Sequence, residues 1–285
     1  MRKDDQMTNY KIVASDLDGT LFLPDMTISE ENEAAIKELS DMGIYFVPSS
    51  GRTFTEIPKN VREHPLVRYI IFADGAGVYD KQQESVVVSK YIPHDSLIKL
   101  LDILSEYQTI LTLRTGGRSY VDATRNNDEE YAKHRMSVYY RDFVYDTNNP
   151  IDNFDVFCRS LESAEMIAPF FADDDEMAEC KRRLEAEGDY IVASSERYNL
   201  EIFSVNAGKG NTLLALADSL EIPHCETIGV GDTTNDMNLI QSAGLGLAMS
   251  NAYQELKDVA DAVICSNTEH AIKYILENYI KDSLC

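Results

Sequence analysis

Residues Lys11–Leu23 read KIVASDLDGTLFL. Ile12-Val13-Ala14 is an apolar run of the length expected for a buried strand. It breaks abruptly into Ser15-Asp16-Leu17-Asp18-Gly19-Thr20. Two carboxylates one residue apart are unfavourable inside a sheet. They fit the carboxyl end of a buried parallel strand, the edge at which ligands bind in open α/β sheets. Gly19 lets the chain turn after the pair and pass close to a ligand. Asp16 and Asp18 can then converge on a hard cation, which takes oxygen ligands. The alternative is an acidic turn after an ordinary strand; the strand before and the Gly-Thr after favour the site. Gly19 and its neighbours miss the spacing of a twelve-residue calcium loop.

Outward from this stretch the chain alternates. Ser29 can cap a helix whose first turn carries Glu30 and Glu31, with Ala35, Ile36 and Leu39 near helical spacing and Gly43 as its stop. Ile44–Val47 reads as a second buried strand ending in Pro48-Ser49-Ser50-Gly51-Arg52. A helix is expected from Thr53 to Lys59, and Tyr69–Ala73 is a third strand followed by Asp74-Gly75. Strand and helix in this rhythm predict a parallel sheet with crossover helices.

The rhythm changes near residue 85. A leucine stripe at 97, 100, 101 and 104 predicts a helix. Strands are expected at Ile110–Arg114 and Ser119–Ala123, joined by a Gly116-Gly117 hairpin turn. Others are expected at Ser137–Tyr145, Asp155–Arg159, Ala168–Phe171, Tyr190–Ser194 and Leu200–Val205, with loops at Asn126–Glu130 and Asp146–Asp152. Asp173–Glu176 reads as the solvated first turn of a helix running to Ala186. The parallel rhythm then resumes: a helix at Lys209–Leu220, a strand at Glu226–Val230 ending in Gly231-Asp232, a helix at Thr233–Ser242, short strands at Gly246–Met249 and Ala262–Ile264, and a helix at Thr268–Ile280. The expected architecture is α/β, a Rossmann-like parallel-sheet core (8–84 and 198–285) with an inserted α+β domain (85–197).

The 285 residues suffice for a sizeable core, and 44% hydrophobic content is ordinary for a globular chain. The formal charge of −23 is not ordinary. It disfavours nucleic-acid phosphates and anionic membranes as partners, which need a basic face. No run approaches the length of a membrane span, and the N-terminus lacks an apolar signal segment. Five cysteines, scattered and without CxxC spacing, read as reduced thiols of a cytoplasmic protein.

Four element ends carry the chemistry: Asp16/Asp18, Ser50-Gly51, Lys209, and Asp232/Asn235/Asp236. Ser50 alone would read as a helix cap and Lys209 as a solvated helix-start lysine. Lys209 is not a Walker lysine, because Ala207-Gly208-Lys209-Gly210 lacks the upstream glycine spacing and the following Ser or Thr. Three acid or amide side chains crowded at the top of a buried strand repel without a cation. Together these groups answer one problem, the approach of a carboxylate to a phosphate monoester dianion. Bound Mg²⁺ and a lysine neutralise that approach, hydroxyl and N–H groups hold phosphate oxygens, one aspartate attacks and another moves protons.

Asp16-Leu17-Asp18-Gly19-Thr20, Ser50-Gly51-Arg52, Lys209-Gly210 and Gly231-Asp232-Thr233-Thr234-Asn235-Asp236, in this order, resemble the four motifs of the haloacid dehalogenase (HAD) superfamily. The long insertion between the second and third resembles the C2 cap of the Cof-like branch, mostly Mg²⁺-dependent phosphatases. The resemblance spans about 10–280 and implies Asp16 as nucleophile and Asp18 as the acid and base. It places Mg²⁺ on the Asp16 carboxylate, the Asp18 carbonyl and Asp232, with Asp236 as ligand or neighbour. Leu17, Ser50, Gly51, Lys209 and Asn235 would hold phosphoryl oxygens. Arg114, Arg118 and Tyr120 are candidates for reading the leaving group, with a solvated strand face as the alternative. Asp74-Gly75 departs from a frequent Asn-Gly, Thr233 from a common glycine, and His270-Ala271 from a frequent Gly-Val. The expected substrate is a small phosphorylated metabolite such as a sugar phosphate; a phosphomutase and a non-catalytic phospho-ligand sensor are the alternatives. Oligomeric state is not legible.

Overall fold

The computed structural model describes residues 9–138, 141, 147–194 and 197–281. In chain order the elements begin β1 (Ile12–Ser15), α1 (Glu30–Asp41), β2 (Tyr45–Pro48), α2 (Lys59–Arg62), β3 (Tyr69–Phe72), β4 (Gly77–Asp80) and β5 (Ser85–Ser89). Next come β6 (Ile92–Pro93), α3 (His94–Leu104), β7 (Thr109–Thr115), β8 (Arg118–Asp122), α4 (Asp128–Lys133), β9 (Asn148–Ile151) and α5 (Phe154–Ser160). They are followed by β10 (Ser163–Ala164), β11 (Met166–Phe171), α6 (Asp174–Glu187), β12 (Tyr190–Ala193) and β13 (Glu201–Ser204). The chain closes with α7 (Lys209–Ser219), β14 (Thr227–Gly231), α8 (Met237–Ser242), β15 (Leu245–Ala248), α9 (Gln254–Lys257), β16 (Ala262–Val263) and α10 (Ala271–Ile275).

The chain divides into two compact units. The first comprises Met1–Gly51, Ile57–Val88 and Gly208–Cys285. Its sheet runs β16-β15-β14-β1-β2, all parallel. A parallel bridge from Ser49 to Ile71 brings β3 in beyond β2, and β4 and β5 continue from there. β1 is buried on both faces, which is why Ile12, Val13 and Ala14 form an unbroken apolar run. Ile12 and Ala14 pack with Leu213, Leu216 and Ala217 of α7. Successive strands leave β1 in opposite directions, towards β2 on one side and from β14 towards β15 on the other. The carboxyl end of β1 is therefore the topological switch point of the sheet, where a crevice opens.

The second unit comprises Arg52–Glu56 and Ser89–Ala207. Its sheet order is β12-β13-β11-β7-β8-β9, antiparallel except for the parallel β8–β9 pair. The leucine stripe of α3 packs against Leu113, Ile167 and Phe171, with Cys180 and Leu184 of α6. A separate cluster of Ile110, Val121, Tyr131, Met136 and Phe170 includes α4. This unit runs to Ala207 and not 197, because β13 pairs antiparallel with β11 and β12. It begins at Ser89 and not 85, and it also takes in 52–56, where Thr55 N–H and its hydroxyl both donate to Gly117 O, at 3.1 and 2.7 Å.

Local departures have local causes. The expected helix from Thr53 becomes a single turn, Phe54–Glu56, and then α2, because Pro58 has no N–H to continue a helix and keeps its predecessor extended. The segment 155–159 is helical: Phe154 and Cys158, four apart, are its buried residues. Asn127 caps α4 where a loop was expected, its side chain accepting from Glu130 N–H at 3.0 Å. The expected loop 146–152 contains β9, a polar edge strand that tolerates Pro150. Of the expected strand 137–145, residues 139–140 and 142–145 lie outside the described residues; Val138 and Arg141 are helical. The Gly116-Gly117 hairpin forms as expected, with φ of +60° and +70° between paired Thr115 and Arg118.

Candidate active site

Asp16 ends β1 at the switch point, its N–H donating to Val230 O of β14 at 3.0 Å. The chain then turns through Leu17–Leu21, closed by Phe22 N–H to Leu17 O at 2.9 Å. Gly19 has φ +82°, and a Cβ there would sit 2.4 Å from Asp232 Oδ2. This position requires glycine on both counts. Asp16 is buried and Asp18 is exposed.

Lys209 opens α7 and is fully buried. Its Nζ donates to Asp16 Oδ1 at 2.7 Å and to Asp236 Oδ1 at 2.6 Å. A buried ammonium is tolerable only with such partners. Burial works against its charge, but Asp16 and Asp236 prevail and hold it protonated well above the ordinary lysine range.

Asp232 and Asp236 follow β14. Asp236 Oδ2 accepts from the N–H groups of Asp232 and Thr233, at 3.0 and 3.1 Å. With the Thr233 side chain this forms a reciprocal helix cap. Both Asp236 oxygens thus serve as a brace between Lys209 and the 232–233 backbone. Asp232 Oδ1 accepts from the Thr20 hydroxyl at 3.1 Å. Burial and then the Asp236 charge push its carboxyl up to about 6. Asp16 is raised as well, by burial and then by Asp236, with Lys209 opposing.

One oxygen each of Asp16, Asp232 and Asp236 lie within 4.8 Å of one another. Three carboxylates and one ammonium leave a formal charge of −2 in a buried space. That donor set fits a hard divalent cation, which takes oxygen ligands and removes the mutual repulsion.

Ser50 N–H donates to Ile71 O at 3.0 Å, and Ser50 O accepts from Asp74 N–H at 3.1 Å. These bonds seat Ser50-Gly51 at the end of β2. Asn235 is exposed and donates from Nδ2 to Asp74 Oδ1 at 3.0 Å. The structure thus brings Asp16, Lys209, Asp232 and Asp236 into direct contact or close approach. It links Asn235 and the Ser50 backbone through Asp74. Thr20 and Thr233 were read only as motif letters; their partners Asp232 and Asp236 become visible once β1 and β14 are paired.

Fold and cluster together define a parallel-sheet α/β protein with an acidic centre at the switch point. The family model of haloacid dehalogenase-like hydrolases matches residues 13–276. "Phosphatase YwpJ" of Bacillus subtilis is 30% identical over 296 residues, covering 95% of this chain and all of that protein. The "5-amino-6-(5-phospho-D-ribitylamino)uracil phosphatase YcsE" of the same organism is 25% identical, covering 95% of this chain and 96% of that one. The solved structure of a haloacid dehalogenase-like hydrolase from B. subtilis superposes with a TM-score of 0.76 at 27% identity, covering 94% of this chain and 99% of that one. The chain belongs to the haloacid dehalogenase-like hydrolase family, in its Cof-like phosphatase branch, and is an enzyme of the HAD phosphatase type. Among the described residues no helix is long and apolar enough to cross a membrane.

Proposed function

We propose that the protein hydrolyses a small phosphomonoester with Mg²⁺, through a phosphorylated Asp16. The observation that carries this reading is the buried Lys209 ammonium bridging Asp16 and Asp236, with Asp232 beside them. Asp16 and Asp232 carboxylates and the Asp18 backbone carbonyl would hold the cation, braced by Asp236. When bound, the cation offsets negative charge on the carboxylates and the phosphoryl oxygens.

An Asp16 oxygen attacks phosphorus while the phosphorus–alkoxide bond breaks, and the Asp18 carboxyl gives its proton to the departing oxygen. Asp18, now a carboxylate, takes a proton from water as that water attacks phosphorus. Inorganic phosphate leaves and the Asp16 carboxylate is restored. The exposure of Asp18 suits a group that must meet both leaving group and water. Lys209 favours the ionised form of Asp16 and aligns it and, with Ser50, Asn235 and the N–H groups of Leu17 and Gly51, would hold phosphoryl oxygens.

The inserted unit would act as a cap that reads the leaving group. A sugar phosphate or related phosphorylated metabolite is the proposed substrate class, supported by the phosphorylated ribityl compound in the name of the relative YcsE. Free Cys158, Cys180, Cys225 and Cys265 support a reducing cytoplasmic setting. The test is release of inorganic phosphate from a panel of phosphorylated metabolites with Mg²⁺, against an EDTA control. Turnover abolished by EDTA is expected. Silence from folded, Mg²⁺-binding protein would overturn the reading and direct attention to a bisphosphate-activated mutase.

A further inference from the structure

Asp74 follows β3, and its placement is enforced. Ala73, Asp74 and Gly75 are three consecutive left-handed residues, with φ of +47°, +48° and +85°. Gly75 is locked against the start of α7. A Cβ there would lie 2.2 Å from Gly208 C, and the Thr212 hydroxyl donates to Gly75 O at 2.5 Å. The carboxylate is thereby held in one place. Its Oδ1 accepts from Asn235 Nδ2 at 3.0 Å. Its Oδ2 lies against Gly51, 2.8 Å from where a Cβ would stand. Its charge also helps keep Lys209 protonated.

Gly51, Lys209 and Asn235 are three of the groups assigned above to phosphoryl oxygens. A rigid anion lies against Gly51 and Asn235, and its charge reaches Lys209. We propose that Asp74 is an internal competitor of the phosphoryl group, setting the affinity of the site for substrate phosphate and for the product. The inference rests on the phosphatase reading. A phosphate dianion entering this site must take the Asn235 amide from Asp74 or lie beside its charge, and like charges in a partly buried site repel strongly. A neutral asparagine in the same place would turn an N–H towards the phosphate instead. The carboxylate weakens binding of the ester and, by the same physics, speeds departure of inorganic phosphate, so the enzyme resists product inhibition.

The test uses the full-length, Mg²⁺-loaded protein, with p-nitrophenyl phosphate as substrate and inorganic phosphate as inhibitor. Asp74→Asn keeps the left-handed backbone, which asparagine tolerates well, and removes the charge. Asp74→Gly keeps that backbone and removes the side chain. In both variants KM for the ester and Ki for phosphate are expected to fall together, by about tenfold as for loss of a nearby like charge. A residue that merely orients Asn235 would be rescued by asparagine and damaged by glycine. A Ki that stays constant or rises in either variant overturns the proposal. If the wild-type protein neither turns over the ester nor binds phosphate, the phosphatase reading itself fails. A wild type that does both while the variants leave Ki unmoved sinks only the role of Asp74.

Discussion

Asp16 and Lys209 are 193 residues apart in the chain and 2.7 Å apart in the fold. That ion pair determines what single substitutions do. Asp16→Asn keeps the shape but removes the oxyanion proposed to attack phosphorus, so phosphate release should fall by about 10³-fold or more. Full turnover in this variant would exclude the covalent route. Lys209→Met strands the Asp16 and Asp236 carboxylates together in a buried space. In Mg²⁺-free buffer it should cost about 3–5 kcal/mol, read from urea denaturation. Added Mg²⁺ should recover part of that loss, because the cation takes over some of the neutralisation. The motif residues and the roles the resemblance implies for them were legible, but the hydrogen bonds that hold them together were not. Asp236 was expected on the metal or beside it. In the structure one of its oxygens accepts from Lys209 and the other from two backbone N–H groups.

At the scale of elements, the hairpin turn of β7 and β8 is pinned by a carboxylate that the sequence did not single out. Glu165 precedes β11, and its Oε1 accepts from Gly117 N–H at 2.7 Å. Burial pushes its carboxyl up to about 7, with Gly117 and Arg114 opposing and Glu56 assisting. A raised carboxyl favours the protonated form in the folded state. Its contribution is fully present below the unfolded value near 4.5 and is lost as pH rises through about 7. The loss across that window is on the order of 3 kcal/mol. Glu165→Gln keeps the acceptor for Gly117 without an ionisable group. Its melting temperature should therefore decline less than that of wild type between those limits, as scanning calorimetry would detect. Parallel declines in the two proteins would exclude this assignment. Element identity was clearest where one face had a strict period. The α3 stripe, with Leu97, Leu100, Leu101 and Leu104 all buried, left little choice. It was weakest where a segment was too short for its period to tell, as in 155–159 and in the edge strand β9.

Over the whole molecule, the dominant property is a formal charge of −23. Such a chain repels itself when folded, and salt screens that repulsion over about 10 Å at 0.1 M. Raising NaCl from about 10 to 200 mM should raise the melting temperature. Mg²⁺ should act beyond screening. At a hundred times its dissociation constant a bound cation adds about 2.7 kcal/mol. The excess shift over NaCl at equal ionic strength should vanish in Asp232→Asn. An excess that survives this substitution would mean that the cation binds elsewhere.

The local chemistry was determined by the sequence alone. The apolar run before Asp16, the turn demanded by Gly19, the cap at Ser29 and the alternation of strands and helices all depend on residues within a turn or two of one another. Short-range sterics and hydrogen bonding decide such features. The partnerships were decided by tertiary structure. Thr20 reaches Asp232 across 212 residues, Asp74 meets Asn235 across 161, and β13 joins the inserted sheet rather than the parallel core. No local preference encodes those pairings. They follow from which apolar faces are buried against each other, and the pairing of β1 with β14 and β2 is what gathers the acidic side chains at one edge.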